Sequence, residues 1–453
     1  METARTKSQG REWRIKDGEP NVSSHPPSST LPPRRILVRG VNWLGDAVMT
    51  TPALLRLREK FPGARITLLT PEKLADLWKN HPAIDDVISF TPDEGVLLIA
   101  NRLRAESLRR FLESSQERTA AGRAAYQETA MRSGTLAQAV GNVVKEVSKA
   151  TIDAAKDARK RAIDLALVLP NSPRSAIEVF LAGIPQRIGY ARPWRNFFLT
   201  QAVPPRAGAV KMRKRTAAEV RRLAAGEIAG NWKLGIGNSQ GHQIYEYLHL
   251  AAALGANPEL LAPQLFVTPE EIEAVKMKFG LAKTSQAVFG LNPGAEYGPA
   301  KRWPVEKFIA AAKTIQQRTD CALLLFGAEK DAAITGRIES AIRNPQSAIF
   351  NLAGKTSLRE LMALMKLCRV VLTNDTGPMH VAAALGTPVV VPFGSTSPEL
   401  TGPGLPGDTR HKLLKSDAPC SPCFLRECPI DFRCMNGITV GRVVEAAIEA
   451  ANG

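Results

Sequence analysis

The chain has 453 residues, of which 44% are hydrophobic and 23% charged, and this balance indicates a globular protein of two or three domains. No apolar run approaches the ~18–20 residues of a membrane-spanning helix, which excludes an integral membrane protein of the helical type. Residues 1–33 are polar, rich in Pro and Ser, and lack the apolar core of an export signal. A disordered N-terminal extension and a cytoplasmic location are therefore expected.

The net charge of +17 is concentrated in three stretches. Residues 1–35, 102–161 and 206–222 carry +3, +6 and +6, so the remainder is nearly neutral. Basic surface attracts nucleic acid or anionic lipid. No nucleic-acid-binding motif accompanies it and only 6% of residues are aromatic, so a membrane surface or a phosphorylated substrate is favoured over nucleic acid.

The first half of the chain alternates strand and helix patterns, which predicts a parallel sheet. Strands are expected at residues 35–39, 64–70, 86–90, 164–169 and 188–190, and helices at 46–60, 71–80 and 176–182. The glycine-containing loop before Asp46 is not GxGxxG, so the dinucleotide fingerprint is absent. Asp46 is either a helix N-cap or a carboxylate at the ligand-binding edge of the sheet.

Three segments depart from this alternation. Residues 95–163 read as amphipathic helices, which form either a solvated insertion or a membrane-surface element. Residues 206–241 read as irregular and basic, and they precede a helix at 242–254. Residues 258–285 read as a linker between two domains.

The second half repeats the strand–helix pattern. Its strands are expected at residues 287–291, 322–326, 349–351, 370–373 and 389–393. Two successive parallel-sheet domains, residues 34–257 and 286–453, would face each other across a cleft at their carboxyl edges. The expected fold class is therefore α/β.

One turn in the second half has the features of an anion site. Residues 374–380 follow a buried strand and open a helix, with Pro378 in its first turn and Gly386 near its C-cap. The free N–H groups and positive dipole end of such a helix suit a phosphate or pyrophosphate. The alternative is an ordinary capped crossover.

Four patches of sequence, at residues 40–52, 169–190, 292–304 and 374–398, resemble the heptosyltransferases of bacterial lipopolysaccharide core synthesis. This is glycosyltransferase family nine, which has the GT-B fold of two Rossmann-like domains. The patch Asn-Pro-Gly-Ala-Glu-Tyr-Gly-Pro-Ala-Lys-Arg-Trp-Pro is the longest and most specific.

The resemblance implies transfer of L-glycero-D-manno-heptose from ADP-heptose to the heptose/Kdo inner core of lipid A, with inversion of configuration. It implies no cofactor and no metal. The partners would be ADP-heptose, the lipid A-Kdo-heptose acceptor and the anionic cytoplasmic face of the inner membrane, where the enzyme would be peripheral.

By the same resemblance, Asp46 is the general base that takes the acceptor hydroxyl proton. Lys301, with the amides of Thr376 and Gly377, stabilises the departing pyrophosphate. Asp375 binds the donor heptose hydroxyls. The alternatives are a helix cap for Asp46 and a surface lysine for Lys301.

Further residues have less certain roles. His380 either braces its turn or contacts the pyrophosphate, and Glu329 contacts the nucleotide or is a solvated loop charge. Asn171, Ser172 and Arg174 occupy a strand-end loop on the side expected to bind the acceptor, and Arg174 would pair with acceptor phosphate or carboxylate groups.

Four of the six cysteines are clustered near the C-terminus, at positions 420, 423, 428 and 434. Clustered cysteines can bind zinc or an iron–sulfur cluster. The interval between the second pair, Cys428 and Cys434, is longer than zinc sites usually have, and no metal is expected there. Two other functions compete with heptosyl transfer. One is a sugar-nucleotide epimerase of similar architecture, and the other is a non-catalytic basic protein of the membrane surface.

Overall fold

The computed structural model describes residues 32–105, 163–210, 212–228, 241–343 and 348–453. Almost all of the expected disordered extension and most of the expected helical insertion at 95–163 fall outside these ranges. Of that insertion the structure describes a helical stretch at residues 96–105.

Two six-stranded parallel sheets organise the described residues. The first sheet contains β1 (Arg35–Arg39), β2 (Arg65–Pro71), β3 (Asp86–Phe90), β4 (Leu165–Val168), β5 (Gln186–Tyr190) and β6 (Gln201–Val203). The second contains β7 (Val288–Asn292), β8 (Ala322–Leu325), β9 (Ile349–Asn351), β10 (Val370–Thr373), β11 (Val389–Pro392) and β12 (Lys412–Leu414). Strands β6 and β12 are short additions at sheet edges that the sequence patterns did not indicate.

Both sheets have the same doubly wound order. The spatial orders are β3-β2-β1-β4-β5-β6 and β9-β8-β7-β10-β11-β12. The strand order reverses between β1 and β4 in the first sheet and between β7 and β10 in the second, and ligands of such folds bind at this reversal. The expected α/β class with two Rossmann-like sheets is confirmed.

Helices cover the faces of both sheets. They are α1 (Leu44–Lys60), α2 (Pro173–Leu181), α3 (Ala217–Ala224), α4 (Ile244–Ala252), α5 (Pro269–Lys278), α6 (Val305–Thr319), α7 (Ala332–Ile342), α8 (Leu358–Leu367), α9 (Gly377–Ala384), α10 (Pro398–Thr401), α11 (Arg433–Asn436) and α12 (Val440–Asn452). The predicted helix at 71–80 is instead a 3-10 helix, Glu72–Trp78.

Alternate residues of the central strands enter different cores, because successive side chains of a strand point to opposite faces. Ile36 and Val38 of β1 belong to an apolar cluster that also contains Val371 of β10, whereas Leu37 packs on the other face of its sheet. The two sheets therefore share one continuous core, which fixes their carboxyl edges relative to each other.

A close contact between the two halves joins the first turns of α1 and α9. A Cβ added to Gly45 would lie 2.7 Å from Cδ2 of His380, and one added to Gly377 would lie 2.8 Å from Cβ of Leu44. Because glycine has no Cβ, the backbones of the two helix N-termini can approach each other closely at these positions.

The expected linker at 258–285 is partly helical and is tied to both halves. Thr268 caps α5 in a capping box with Glu271. The Glu271 carboxylate accepts from Arg359 of α8, whose guanidinium also donates to the carbonyl oxygens of Phe266 and Lys79 at 3.0 and 3.3 Å. This buried arginine connects the second sheet's helices to the linker and the first half.

The described part of the basic segment, residues 206–210 and 212–228, contains a helix that its composition did not indicate. Thr216 and Glu219 form a capping box that starts α3. Val220 and Leu223 on the inner face of α3 pack against Cys420 and Cys423 of the second half. In the part of the chain that the structure describes, no helix combines the length and apolarity needed to cross a bilayer.

Candidate active site

A cavity of about 750 Å³ lies where the carboxyl ends of the two sheets face each other. It is lined from the first half by the loop after β1, including Asp46, and from the second half by Lys301, Asp375, Thr376, Gly377 and His380. Residues more than 250 positions apart in the sequence are thus brought to one place. Six of the expected site residues line this cavity.

Asp46 lies in the first turn of α1, directly after the loop that leaves β1. Burial raises the pKa of its carboxyl to about 6, while a hydrogen bond from Gln243 and the charge of Lys301 oppose that rise. The Gln243 amide donates to Oδ1 at 3.3 Å and to the Tyr247 hydroxyl at 2.9 Å. A carboxylate with this pKa is a stronger base than a solvated aspartate and is still mostly ionised at pH 7.

Lys301 ends a 3-10 turn, Pro299–Lys301, that follows β7. Its Nζ lies 2.7 Å from Oδ2 of Asp375 and 5.0 Å from the centre of the Tyr297 ring. The preceding Gly298 has φ 149°, and an added Cβ there would lie 2.6 Å from the carbonyl oxygen of Arg426. Glycine is required at this point for the turn that presents the lysine.

Asp375 is buried, and both of its polar partners come from other loops. Lys301 pairs with Oδ2, and the Thr396 hydroxyl donates to the same oxygen. The carboxylate therefore holds the ammonium group of Lys301 beside the N-terminus of α9.

The turn before α9 is tied to the motif at residues 292–304. The Asn374 amide donates to the carbonyl oxygen of Pro293 at 2.7 Å, and its oxygen accepts from the Trp303 amide at 3.0 Å. The Asn292 side chain donates to the Thr373 hydroxyl at 3.1 Å. These buried bonds hold the loop that carries Lys301 against the turn that carries Asp375.

Helix α9 begins at Gly377 after the extended N-cap Thr376, whose side chain makes no capping bond. Thr376, Gly377 and Pro378 at this N-terminus line the cavity. The backbone N–H groups and the positive dipole end of an eight-residue helix are suited to an anion.

His380 lines the cavity and packs at the contact between the two halves. Burial lowers the pKa of its imidazole to about 3, so the ring is neutral at pH 7. Its Cδ2 atom packs against the backbone at Gly45. It therefore supplies packing, not positive charge, at the contact between the two halves.

The other end of the cavity lies within the second half. It is lined by Gly294, Gly327, Asp331, Ser357 and Leu361. Asp331 accepts from the Ala328 amide at 3.1 Å, and an added Cβ on Gly294 would lie 2.5 Å from its Oδ2. Glycines thus bring backbone close to this carboxylate.

Four expected residues are not among those lining the cavity. Glu329 is exposed at the start of a 3-10 turn. Ser172 caps α2 through the amide of Ser175, and Asn171 accepts from Arg195 at 3.4 Å. Arg174 pairs with the buried Glu178 at 3.1 Å and donates to the Glu94 carbonyl at 2.5 Å, so its guanidinium is held within its own domain.

Sequence reasoning did not single out several residues at the site. These are Gln243 and Thr396, which hold the two carboxylates, Tyr297 beneath Lys301, and the cavity-lining cations Lys73, Lys214 and Arg426. Lys214 lies in the stretch read as irregular, and Gln243 lies in the helix expected at residues 242–254. No local pattern marks them, because their role depends on contact with distant loops.

The cluster of basic residues at 211–222 does not present a uniform charged surface. Arg215 is buried, Arg213 pairs with Glu219, and Lys214 lines the cavity. Arg221 and Arg222 remain exposed, and Lys211 lies outside the described residues.

The cysteine segment packs beneath these basic residues. The Arg215 amide donates to the carbonyl oxygen of Cys423 at 3.0 Å. All six cysteines are free thiols, and four of them are clustered, with Cys434's pKa raised to about 12 by burial and then by its neighbours Cys420, Cys423 and Cys428. Among the residues with described positions, no group of three or more His, Cys, Asp or Glu is arranged to hold a metal ion.

Comparison with known proteins identifies the family. Residues 152–432 match the family model for glycosyltransferase family 9 (heptosyltransferase). The chain is 29% identical over 400 residues to lipopolysaccharide heptosyltransferase 2 of Escherichia coli K12, covering 85% of this chain and 91% of that protein. It is 26% identical over 380 residues to lipooligosaccharide heptosyltransferase 2 of Haemophilus ducreyi, covering 82% and 86% of the two chains.

Comparison with solved structures gives a result consistent with this family. The structure of E. coli ADP-heptose lps heptosyltransferase II superposes with a TM-score of 0.62 at 25% identity, covering 92% of this chain and 98% of that one. A family 9 glycosyl transferase from Veillonella parvula has a TM-score of 0.63 at 19% identity over 92% and 97% of the chains, a likeness of fold. The chain therefore belongs to glycosyltransferase family 9, the heptosyltransferase family, and is a glycosyltransferase.

Proposed function

We propose that this enzyme transfers L-glycero-D-manno-heptose from ADP-heptose to the heptose/Kdo inner core of lipid A. The observation that carries the proposal is the cavity with Asp46 on one side and the Lys301–Asp375 pair beside the α9 N-terminus on the other. A base and an anion site on opposite walls suit a hydroxyl nucleophile and a nucleotide leaving group. The names of the relatives, lipopolysaccharide and lipooligosaccharide heptosyltransferase 2, support the sugar and the acceptor class.

In the proposed reaction, the acceptor hydroxyl gives its proton to Asp46 as its oxygen forms a bond to the anomeric carbon of the donor. The bond from that carbon to the β-phosphate oxygen breaks, and ADP leaves with the electron pair. Attack from the face opposite the leaving group inverts the configuration. Deprotonation by Asp46 avoids a cationic oxygen in the transition state.

In this proposal, groups of this chain stabilise the negative charge that develops on the leaving phosphate. Lys301 and the amides of Thr376 and Gly377 lie at one wall of the cavity. Donors positioned before the reaction starts stabilise such charge without reorganisation. In this mechanism Lys301 and the helix end supply the positive charge, so the transfer needs no divalent metal and no cofactor.

Asp375 would then have two tasks. Its carboxylate orients Lys301, and it accepts hydrogen bonds from hydroxyls of the donor heptose. Glu329 and Asp331 lie in one 3-10 turn at the end of the cavity that the nucleotide would occupy, where Asp331 lines the cavity and Glu329 is exposed. The acceptor would enter from the first half, on the side of Asp46 and Lys214. Membrane association at the cytoplasmic face belongs to the same proposal, because a lipid A acceptor is anchored in the bilayer.

The test is transfer itself. Purified enzyme is incubated with ADP-heptose or a UDP-sugar, with and without truncated lipopolysaccharide, and products are followed by mass spectrometry. We expect heptose addition only when ADP-heptose and the lipid acceptor are both present. Isomerisation of a free sugar nucleotide without acceptor would instead establish an epimerase.

A further inference from the structure

Two aromatic side chains outside the site are strongly exposed to solvent. Trp194 is 90% exposed and Phe197 is 80% exposed, which makes them the most exposed of the large hydrophobic side chains in the described part of the chain. Phe197 touches Phe180 and Phe198 with one edge, at centroid distances of 6.2 and 5.4 Å. We call Trp194 and Phe197 together the aromatic surface.

The aromatic surface is held outward by a buried arginine. Arg195, between its two members, is fully buried and donates to the carbonyl oxygens of Tyr190 and Val168, both at 3.3 Å. Trp194 itself has φ 62°, a conformation that costs a non-glycine residue energy. The turn is thus built to present the indole to the outside, although a large apolar ring gains free energy by leaving water.

The charge around the aromatic surface is positive. Residues 170–200 contain four arginines and one carboxylate, and that carboxylate, Glu178, is fully buried in ion pairs with Arg39 and Arg174. Arg187 lies 5.3 Å from the ring of Phe180, which packs against Phe197, and Arg192 lies 5.8 Å from the buried Tyr190 ring. Two guanidinium groups therefore lie close to the segment that carries the exposed rings.

The aromatic surface is on the same edge of the first sheet as Asp46. It follows β5, and Asp46 follows β1, with β4 as the one strand between them. Neighbouring strands are about 4.8 Å apart, so the two loops start roughly 10 Å from each other along that edge. A membrane touching the aromatic surface would therefore lie beside the wall of the cavity that carries the base.

We propose that the aromatic surface docks on an anionic lipid bilayer, with Trp194 and Phe197 entering the interfacial region and the neighbouring arginines contacting lipid phosphates. Indole and phenyl rings flanked by basic groups suit this region, which is apolar on one side and anionic on the other. The inference deepens the proposed function and rests on it, because it requires an acceptor that is held in a membrane.

The test compares vesicle binding of three proteins. They are the wild type, the double variant Trp194→Ser with Phe197→Ser, and a control, Met277→Ser, which removes a 72% exposed apolar side chain from α5. Each is sedimented with vesicles of phosphatidylglycerol and phosphatidylcholine and with phosphatidylcholine alone. We expect the double variant to bind anionic vesicles about tenfold or more weakly, and the control to bind as the wild type does.

A second measurement follows the indole directly. In wild-type protein, iodide should quench part of the tryptophan fluorescence without vesicles, and brominated lipids should quench it with vesicles. Both effects should fall in Trp194→Phe. Transfer to a detergent-dispersed acceptor should be unchanged in the double variant, which separates docking from chemistry. If the wild type binds vesicles but transfers no heptose, the docking proposal is supported and the proposed function is refuted.

Three results would overturn the docking proposal. One is equal vesicle binding by the wild type and the double variant. Another is a lack of iodide quenching at Trp194, which would mean that another part of the chain covers the ring. The third is self-association of the wild type that the double variant loses without any change in vesicle binding, which would assign the surface to a second copy.

Discussion

At the scale of single residues, two carboxylates of the site, Asp46 and Asp375, lie in opposite surroundings. Asp46 is held by a neutral amide, and burial raises the pKa of its carboxyl to about 6. Asp375 is held by the Lys301 ammonium at 2.7 Å and by the Thr396 hydroxyl. One carboxylate is therefore prepared to accept a proton, and the other is prepared to orient a cation.

Replacing Asp46 tests the base. Asp46→Asn keeps the shape but cannot take a proton, so turnover should fall roughly 10²–10⁴-fold while ADP affinity stays the same. The wild-type rate should rise with pH through about 6, as the carboxyl ionises. Steady-state kinetics from pH 5 to 8 measure both. A variant with near wild-type turnover would show that Asp46 is only a structural residue.

The same substitution should stabilise the fold at alkaline pH. The carboxyl pKa is about 6 in the folded protein against the ordinary aspartate value of 3.8, so ionising Asp46 destabilises the folded state as pH rises between these values. Asp46→Asn should be about 1–3 kcal/mol more stable than wild type at pH 8 and little different at pH 4. Denaturant unfolding at the two pH values measures this. An equal gain in stability at pH 8 and at pH 4 would show that the gain does not come from the ionisation of Asp46.

Replacing Lys301 tests the leaving-group side. Lys301→Ala removes the cation beside the α9 N-terminus and leaves the buried Asp375 without its ion-pair partner. ADP affinity and turnover should both fall, about tenfold or more each. Calorimetry with ADP and turnover assays measure them. Lys276→Ala, which removes a lysine paired with Glu273 on α5, is the control and should change neither. An effect on acceptor affinity alone would place Lys301 in the acceptor half.

At the scale of elements, α1 and α9 meet beside the cavity. Each helix begins directly after a central strand, and their first turns touch through Gly45, His380, Leu44 and Gly377. The pair sets the distance between the base and the anion site. A neutral, buried His380 suits such a contact, since a charged imidazole would be costly there.

Adding one methyl group at this contact should separate the two walls. Gly45→Ala places a Cβ 2.7 Å from the His380 ring, so we expect a loss of about 1–3 kcal/mol in unfolding free energy and a lower turnover. Gly336→Ala in α7, where an added Cβ meets nothing within 4 Å, is the matched control and should be neutral or slightly stabilising. Thermal unfolding and kinetics compare them. Equal stability and turnover of Gly45→Ala and Gly336→Ala would mean that the contact between α1 and α9 accommodates the added methyl group.

At the scale of the whole molecule, the site is assembled from both sheets and the connections between them. The shared core and the bonds of Arg359 to the linker hold the two carboxyl edges opposite each other. Segment 212–228 crosses to the cysteine segment and brings Lys214 to the cavity. The positive charge around the cavity thus comes from several parts of one folded chain.

This arrangement predicts activity without a divalent ion. Turnover should survive dialysis against EDTA, because Lys301 and the α9 N-terminus supply the stabilising charge. Turnover before and after chelation is the measurement, with added Mg²⁺ or Mn²⁺ as the comparison. Complete loss restored by either ion would refute the metal-free mechanism.

Much of this protein follows from the sequence by itself. Local periodicity and turn chemistry predict the strand–helix alternation, because each strand and helix carries its own pattern of buried side chains. The motifs that follow β1, β7 and β10 resemble those of a known family, and this resemblance predicts six cavity-lining residues. Sheet geometry agrees with it, since the carboxyl ends of parallel strands meet at one edge. Edge strands β6 and β12 were missed because three-residue strands carry little pattern.

Other features are decided only by the tertiary structure. The pKa of Asp46 depends on burial and on Gln243, which lies 197 positions away in the sequence. The burial of Arg215 and the exposure of Trp194 likewise depend on which distant surfaces pack together. Propensity and motif act over a few residues, whereas desolvation and charge pairing act through space between segments that only the fold brings into contact.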